Sequence, residues 1–137
     1  MKEATLLSIA KEEGHPVYVY DASKIEQQFT RLQNAFKGIE ILRINYACKA
    51  LSNLSVLGLM KKMGAGLDTV SIQEVQMGIK AGFEPKDIIF TPNGVCLEEI
   101  ERASQLGVQI NIDNLSILEQ FGTKHLGLGD QWGEQRA

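Results

Sequence analysis

The stretch that decides the fold is GLDTVSIQEVQMGIKAG, residues 66–82. Residues 67–70 have the length and the β-branched composition of a short strand. A helix is predicted over residues 71–81, and the apolar positions of one of its faces recur at steps of three and four: Ile72, Val75 and Ile79. Gly82 follows at a position where helices commonly end. The stretch therefore predicts one βα unit, in which a strand is followed by a helix.

The same pattern occurs three more times along the chain. Strands are predicted over residues 41–47, 87–91 and 108–112, so the four strand centres lie about 20 to 25 residues apart. Helices that end at a glycine are predicted after them, over residues 53–63, 97–106 and 115–121. Strands joined by helices pair in parallel with right-handed crossovers. The α/β pattern fits either a doubly wound sheet or half of a (β/α)₈ barrel.

The residues before the repeat predict two helices and a strand. The first helix is predicted over residues 3–13, and the strand over residues 17–20, which read VYVY. The second helix begins near Ser23, which forms a predicted capping box with Glu26. One face of this helix carries its apolar residues at steps of three and four: Ile25, Phe29, Leu32 and Phe36.

The composition excludes several classes of protein. The 137 residues are 44% hydrophobic and 23% charged, with a formal net charge of −3, which is typical of a folded globular chain and excludes disorder. The sequence offers no membrane span, and a mildly acidic chain without a basic block is not expected to bind nucleic acid. The N-terminus lacks the apolar run of a secretory signal, so a cytoplasmic location is expected.

The cysteines and histidines predict no metal site. Cys48 and Cys96 form no CxxC motif and have no histidine pair nearby, so neither a disulfide framework nor a zinc site is expected. His15 precedes a proline in a predicted loop, and His125 lies in the aperiodic last fifteen residues. Both histidines are therefore interpreted as solvated loop residues.

Lys49 is the first candidate for chemistry. Catalytic groups lie at the carboxyl ends of the strands in both parallel architectures, and Lys49 ends a strand of apolar and small residues. Strand alternation places it on the same face as Asn45 and Ala47. A desolvated amine that faces a barrel interior is a nucleophile suited to Schiff-base chemistry. The alternative is a lysine whose ammonium group extends to solvent from the strand end.

Two acidic residues near the next strand end are further candidates. Asp68 lies within the strand, where its carboxylate could set the charge of a bound ring or pair with Lys49, or could cap a turn. Glu74 lies three residues after Ser71, which also fits the far half of a capping box. At the remaining strand ends, Asn93 and Gly94 indicate a turn, and Asp113 or Asn114 indicates a helix cap.

Several motifs in the same order resemble one enzyme family. Residues 16–21, PVYVYD, and residues 46–50, YACKA, resemble the start of the diaminopimelate decarboxylases. Residues 64–74, GAGLDTVSIQE, are similar to that family's second strand and the entry into the next helix. The third strand end and the fourth strand of the family resemble residues 90–94 and 108–113. The resemblance covers about residues 14–122, with the spacing between the motifs intact.

This family belongs to the alanine-racemase-like barrels, the group IV decarboxylases that use pyridoxal 5'-phosphate. The resemblance implies that Lys49 holds the cofactor through a Schiff base and that the cofactor acts as the electron sink when carbon dioxide leaves. It places Asp68 and Glu74 at acidic positions that line the cofactor pocket, with Asp68 near the Schiff-base side of the ring. The implied reaction is decarboxylation of a small amino-acid substrate, meso-diaminopimelate, to L-lysine by a homodimer.

The resemblance also implies a domain organisation. Residues 1–21 form an N-terminal helix and a strand that joins a C-terminal β-domain, residues 22–122 form part of the cofactor-binding (β/α) barrel, and residues 123–137 form an aperiodic tail. A complete barrel takes about 250 residues, so the chain is expected to be a truncated and inactive piece of the enzyme. A related ornithine or arginine decarboxylase and a pyridoxal-phosphate-binding barrel protein without catalytic activity are the alternatives.

Overall fold

The computed structural model describes residues 3–40 and 42–126. These residues form six α-helices and a four-stranded sheet, and the chain divides after Leu42 into two compact units. No helix among the described residues is long and apolar enough to cross a membrane. The predicted tail, residues 123–137, lies mostly outside the described residues.

The first unit contains α1 (Glu3–Glu13) and α2 (Ala22–Ala35). The bounds of α1 are those that the sequence predicts. The cap of α2 differs from the prediction, because the Asp21 carboxylate accepts a hydrogen bond from the Lys24 amide at 3.2 Å. The predicted capping box of Ser23 and Glu26 is therefore wrong: Asp21 offers a carboxylate at the position where the helix starts, and Ser23 is already inside it.

Residues 17–20 do not form the predicted strand. The segment has no regular secondary structure, and its side chains are exposed, Tyr18 to 88%. A β-strand exists only when its backbone pairs with another strand, and the four described strands pair with one another elsewhere in the chain. Residues 17–20 therefore have the composition of a strand, but no strand of the described residues pairs with them.

The second unit is built on a parallel sheet with the strand order β1-β2-β3-β4. The strands are β1 (Asn45–Ala47), β2 (Gly66–Thr69), β3 (Ile88–Phe90) and β4 (Gln109–Ile110). The predicted parallel α/β pattern is confirmed. The outer strands β1 and β4 are shorter than predicted, because the ladder covers only part of each predicted run. Residues 42–44 precede β1, and of these the Ile44 carbonyl accepts a hydrogen bond from the Gly66 amide at 2.9 Å.

Four helices follow the four strands: α3 (Leu54–Lys62), α4 (Ile72–Lys80), α5 (Leu97–Gln105) and α6 (Leu115–Leu126). Side chains cap three of them, because the oxygens of Asn53, Ser71 and Asn114 accept hydrogen bonds from amides of the first turn. Gly82 has a φ of +93° where the chain leaves α4, a conformation that glycine adopts without a steric cost.

The last helix is longer than predicted. It continues through Gly122 to Leu126, because the glycine costs only about 1 kcal/mol in a helix and contacts beyond it offset that cost. Glu101 of α5 accepts a hydrogen bond from His125 at 3.1 Å and also pairs with Lys124 at 2.6 Å. The prediction that His125 is solvated is confirmed, since the residue is exposed, but the prediction that it lies in a loop is wrong. It lies on α6, and its ring contacts Phe121 with the centroids 4.6 Å apart.

The two faces of the sheet differ in composition. The face covered by helices carries fully buried side chains: Leu67, Thr69, Ile88 and Phe90. Helix α4 packs against β2 and β3 on this face. Because side chains alternate along each strand and parallel partners share a face, the opposite face carries the alternate residues, which are less buried. Most of them are polar, namely Asn45, Asp68, Thr91 and Gln109, and two are apolar, namely Ala47 and Ile89. The polar face is therefore the one available for chemistry.

An ion pair crosses the polar face at the amino ends of the strands. The Arg43 guanidinium lies 2.8 Å from Asp87 and donates a further hydrogen bond to the Lys86 carbonyl at 3.1 Å. The arginine passes over Gly66 of β2, where a Cβ atom would lie 2.7 Å from its Nε and would collide with Asn45. Glycine at this position therefore lets Arg43 connect the chain before β1 to the chain before β3.

Close packing of α4 against the sheet gives a test of the core. A Cβ atom at Gly78 would collide with Leu67 Cδ2 and lie 3.2 Å from Ile88 Cδ1, whereas a Cβ atom at Gly58 of α3 would meet nothing within 4 Å. We expect Gly78→Ala to lower the free energy of unfolding by about 1 to 3 kcal/mol, because the buried side chains must shift.

Gly58→Ala is the matched control, because the same substitution in a helix with open space raises helix propensity by about 1 kcal/mol. Urea unfolding monitored by circular dichroism measures both variants. A Gly78→Ala chain as stable as Gly58→Ala would contradict this packing of α4 on β2 and β3.

Candidate active site

The carboxyl ends of the four strands meet at one edge of the sheet, as parallel pairing requires. Three chemically reactive or hydrogen-bonding side chains lie at or directly after the ends of the first three strands: Lys49, Asp68 and Thr91. Ala47 and Asp68 are partners in the register of β1 and β2. The sequence-predicted candidates are therefore brought to one edge.

Lys49 lies just beyond β1, in a 3-10 turn formed by Cys48–Ala50. The Leu51 amide closes this turn by donating to the Cys48 carbonyl at 3.1 Å. The predicted alternation of Asn45, Ala47 and Lys49 on one face is therefore wrong at its last member, because the backbone leaves the strand after Ala47. Lys49 is also exposed and not desolvated, and within the described residues its ammonium group has no ion-pair or hydrogen-bond partner.

Asp68 is half-buried and shares a short hydrogen bond with the next strand end. The Thr91 hydroxyl donates to Asp68 Oδ1 at 2.6 Å, while the Thr69 carbonyl lies 3.3 Å from the same hydroxyl. Among the described residues, the second carboxylate oxygen of Asp68 has no hydrogen-bond partner. This oxygen can therefore accept a hydrogen bond from a ligand or pair with a cation.

Glu74 occupies the first turn of α4 and caps it. Its backbone amide donates to the Ser71 hydroxyl at 3.2 Å, and its carboxylate accepts a hydrogen bond from the Val70 amide at 2.8 Å. The predicted capping box is therefore only half formed: Ser71 caps the helix, whereas the Glu74 carboxylate binds the Val70 amide and not the amide of Ser71. Its role in lining a cofactor pocket remains a prediction.

The acidic candidates act electrostatically on the residue before Lys49. Burial and, to a smaller extent, the negative charges of Glu74 and Asp68 together raise the pKa of the Cys48 thiol to about 11. The thiol is fully buried. Cys48 is therefore a neutral packing residue beneath the turn, and the two carboxylates concentrate negative potential at the end of β1.

Two residues of the polar face, of which Thr91 belongs to the site, were not identified as candidates in the sequence. Thr91 was recognised only as a strand-end residue, and its contact with Asp68 joins positions 23 residues apart. Asn45 lies on the polar face, and its buried Oδ1 atom accepts no hydrogen bond from the described residues. Its position two residues before Ala47 in an otherwise apolar strand is the signal that could have identified it.

The donor set at this edge suits an organic ligand with an aldehyde and polar substituents. It offers an exposed primary amine at Lys49 and a free carboxylate oxygen at Asp68. A primary amine is the group that condenses with an aldehyde. Among the residues the structure describes, no three histidine, cysteine or acidic side chains are grouped so that they could hold a metal ion.

Comparison with known proteins identifies the family of the chain. Residues 22–128 match the model of the family described as pyridoxal-dependent decarboxylase, pyridoxal binding domain. The match covers most of the chain, and the chain belongs to this family, whose cofactor is pyridoxal phosphate. The fold class is thereby confirmed as an α/β chain whose parallel units form part of a cofactor-binding barrel.

Two of the similar proteins are diaminopimelate decarboxylases. The chain is 39% identical over 116 residues to diaminopimelate decarboxylase of Methanothermobacter thermautotrophicus, covering 84% of this chain and 27% of that protein. It resembles the crystal structure of the Helicobacter pylori diaminopimelate decarboxylase complexed with L-lysine, with a TM-score of 0.70 and 36% identity over 85% of this chain and 31% of that one. The chain therefore spans less than a third of the length of these relatives.

A decarboxylase of different specificity has the same fold. The Vibrio vulnificus lysine/ornithine decarboxylase complexed with putrescine has a TM-score of 0.79, with 25% identity over 88% of this chain and 33% of that one. The backbone of this chain is therefore similar to both kinds of decarboxylase. Its sequence identity is higher to the diaminopimelate decarboxylases than to the lysine/ornithine decarboxylase.

The environments of the two cysteines predict different reactivity. Cys48 is buried with a pKa raised to about 11, whereas Cys96 is exposed. Because the thiolate is the nucleophile, we expect iodoacetamide at pH 8 to modify Cys96 and leave Cys48 intact, with Cys48 reacting only as the pH approaches 11 or the chain unfolds. Mass spectrometry of the peptides measures both rates, and a urea-unfolded sample is the control. Equal rates in the folded chain would contradict the burial of Cys48.

Proposed function

We propose that the chain is the N-terminal part of a diaminopimelate decarboxylase and that Lys49 is its cofactor-binding lysine. The whole enzyme then removes carbon dioxide from meso-diaminopimelate to give L-lysine. The observation that carries this proposal is the exposed Lys49 directly after the carboxyl end of β1, at the same edge of the sheet as the half-buried carboxylate of Asp68. The family match over residues 22–128 supports it.

Each candidate residue has a distinct part in this proposal. Lys49 holds the cofactor through its amine, and the bound cofactor supplies the electron sink that decarboxylation requires. Asp68 uses its free oxygen to orient a cationic nitrogen near that amine. Glu74 fixes the start of α4 through the Val70 amide and adds negative potential at the same edge.

Sequence identity favours diaminopimelate over ornithine or arginine as the substrate. Identity to the named diaminopimelate decarboxylases is 39% and 36%, against 25% to the lysine/ornithine decarboxylase, although all share the fold. The Helicobacter pylori enzyme was crystallised with L-lysine, which is the product that the proposed reaction forms. A small amino acid is therefore the proposed ligand class.

The proposal includes the organisation of the whole enzyme. Residues 1–21 supply a helix and the segment 17–20 for a second domain, and residues 22–122 supply part of the barrel, with α6 continuing to Leu126 into the predicted tail. The exposed side chains of residues 17–20 support the first of these assignments, because an apolar extended segment is suited to joining another sheet. We also propose a homodimer and a cytoplasmic location for the enzyme.

Covalent trapping tests the role of Lys49. We expect pyridoxal phosphate followed by borohydride to leave a reduced adduct on the peptide that contains Lys49, because this exposed amine lies at the strand-end edge proposed as the cofactor site, whereas other exposed lysines, such as Lys62, do not. Lys49→Ala should remove this adduct and the visible absorbance that precedes reduction. Lys62→Ala, which removes an exposed lysine at the end of α3, is the matched control and should retain both. An adduct distributed equally over the exposed lysines would refute the assignment.

Activity of residues 1–137 alone tests the need for the rest of the barrel. We expect no carbon dioxide from meso-diaminopimelate with pyridoxal phosphate present, because a closed barrel of this type requires eight strands and the described residues supply four. Release of labelled carbon dioxide measures the reaction, with a complete diaminopimelate decarboxylase as the positive control. Turnover that Lys49→Ala abolishes would show that four units are sufficient.

A further inference from the structure

We propose that Thr91 is a positioning residue that holds the Asp68 carboxylate in one orientation at the carboxyl edge of the sheet. Its hydroxyl donates a hydrogen bond to Oδ1 of Asp68. The other carboxylate oxygen, Oδ2, is then directed to the cationic nitrogen of a bound ligand. This inference rests on the proposed function, because it requires the cofactor site to lie at this edge.

The hydrogen bond between the two side chains is short and specific. Its length of 2.6 Å lies in the range of a hydroxyl that donates to an ionised carboxylate. A threonine hydroxyl has a single proton, and its other neighbouring acceptor, the Thr69 carbonyl, is more distant at 3.3 Å. The proton is therefore donated to Asp68.

The pairing of the strands holds the backbone of Thr91 in place independently of its contact with Asp68. The Thr91 amide donates to the Thr69 carbonyl at 2.8 Å, which continues the pairing of β2 and β3 one residue beyond β3. Threonine is β-branched and has a restricted χ1 angle. The hydroxyl is thus held by the strand ladder, whereas the Asp68 side chain has no other hydrogen bond among the described residues to restrict its rotation.

Thr69 provides an internal comparison on the other face of the same strand pair. Its hydroxyl donates to the Ile89 carbonyl at 2.9 Å, and its side chain is fully buried under the helices. Removing this hydroxyl also removes one hydrogen bond between β2 and β3 but leaves the Asp68 carboxylate untouched. Thr69→Val is therefore the matched control for a merely structural effect.

The first measurement uses the ligand-free chain. Three-bond NMR couplings report the χ1 angle of Asp68 in the wild type, Thr91→Val, Thr91→Ser and Thr69→Val. We expect one rotamer in the wild type, Thr91→Ser and Thr69→Val, and averaged couplings in Thr91→Val. Thr91→Ala is a second variant without the hydroxyl in case Thr91→Val does not fold. A single Asp68 rotamer in both hydroxyl-free variants would overturn the proposal.

The second measurement uses pyridoxal phosphate as the probe. We expect Thr91→Val to retain the borohydride-trapped adduct at Lys49 but to lose most of the visible circular dichroism per bound cofactor, because the ring is no longer held in one orientation. Thr91→Ser should restore the signal, and Thr69→Val should leave it unchanged. A wild-type signal in Thr91→Val would refute the positioning role. Absence of any adduct in the wild type would instead refute the proposed function on which that role rests.

Discussion

The pairing of β2 with β3 is the interaction on which the rest of the second unit depends. Leu67, Ile88 and Phe90 on these strands are fully buried beneath the helices, and burial of each such side chain contributes about 1.5 to 3 kcal/mol. Because the pairing is parallel and in register, it also brings the ends of both strands to one edge. The contact between Asp68 and Thr91 is a direct consequence of that register.

Local patterns predicted most of the helices, and long-range pairing explains the errors. The bounds of α1 and the core of α4 follow from apolar periodicity and from stop signals within a few residues. Residues 17–20 have strand composition but no partner in the described residues, so no strand forms there. The pattern alone also left a doubly wound sheet and a barrel as alternatives, and only the family match separated them.

The candidate site was predicted in location more accurately than in environment. The βα repeat placed Lys49 and Asp68 at one edge of the sheet, and the structure confirms that placement. The sequence pattern could not show that Lys49 lies on an exposed turn, because the point at which the chain leaves the strand depends on where the pairing of β1 with β2 ends. Thr91 was missed because its hydroxyl acquires a partner only when two distant strand ends meet.

The Arg43–Asp87 ion pair lies at the amino ends of the strands, away from the edge that carries Lys49. The amino ends of the strands thus carry a structural ion pair, and the carboxyl ends carry the candidate reactive groups. Replacing Arg43 or Asp87 would accordingly change a contact between two neighbouring loops while leaving the amine of Lys49 and the carboxylate of Asp68 as they are.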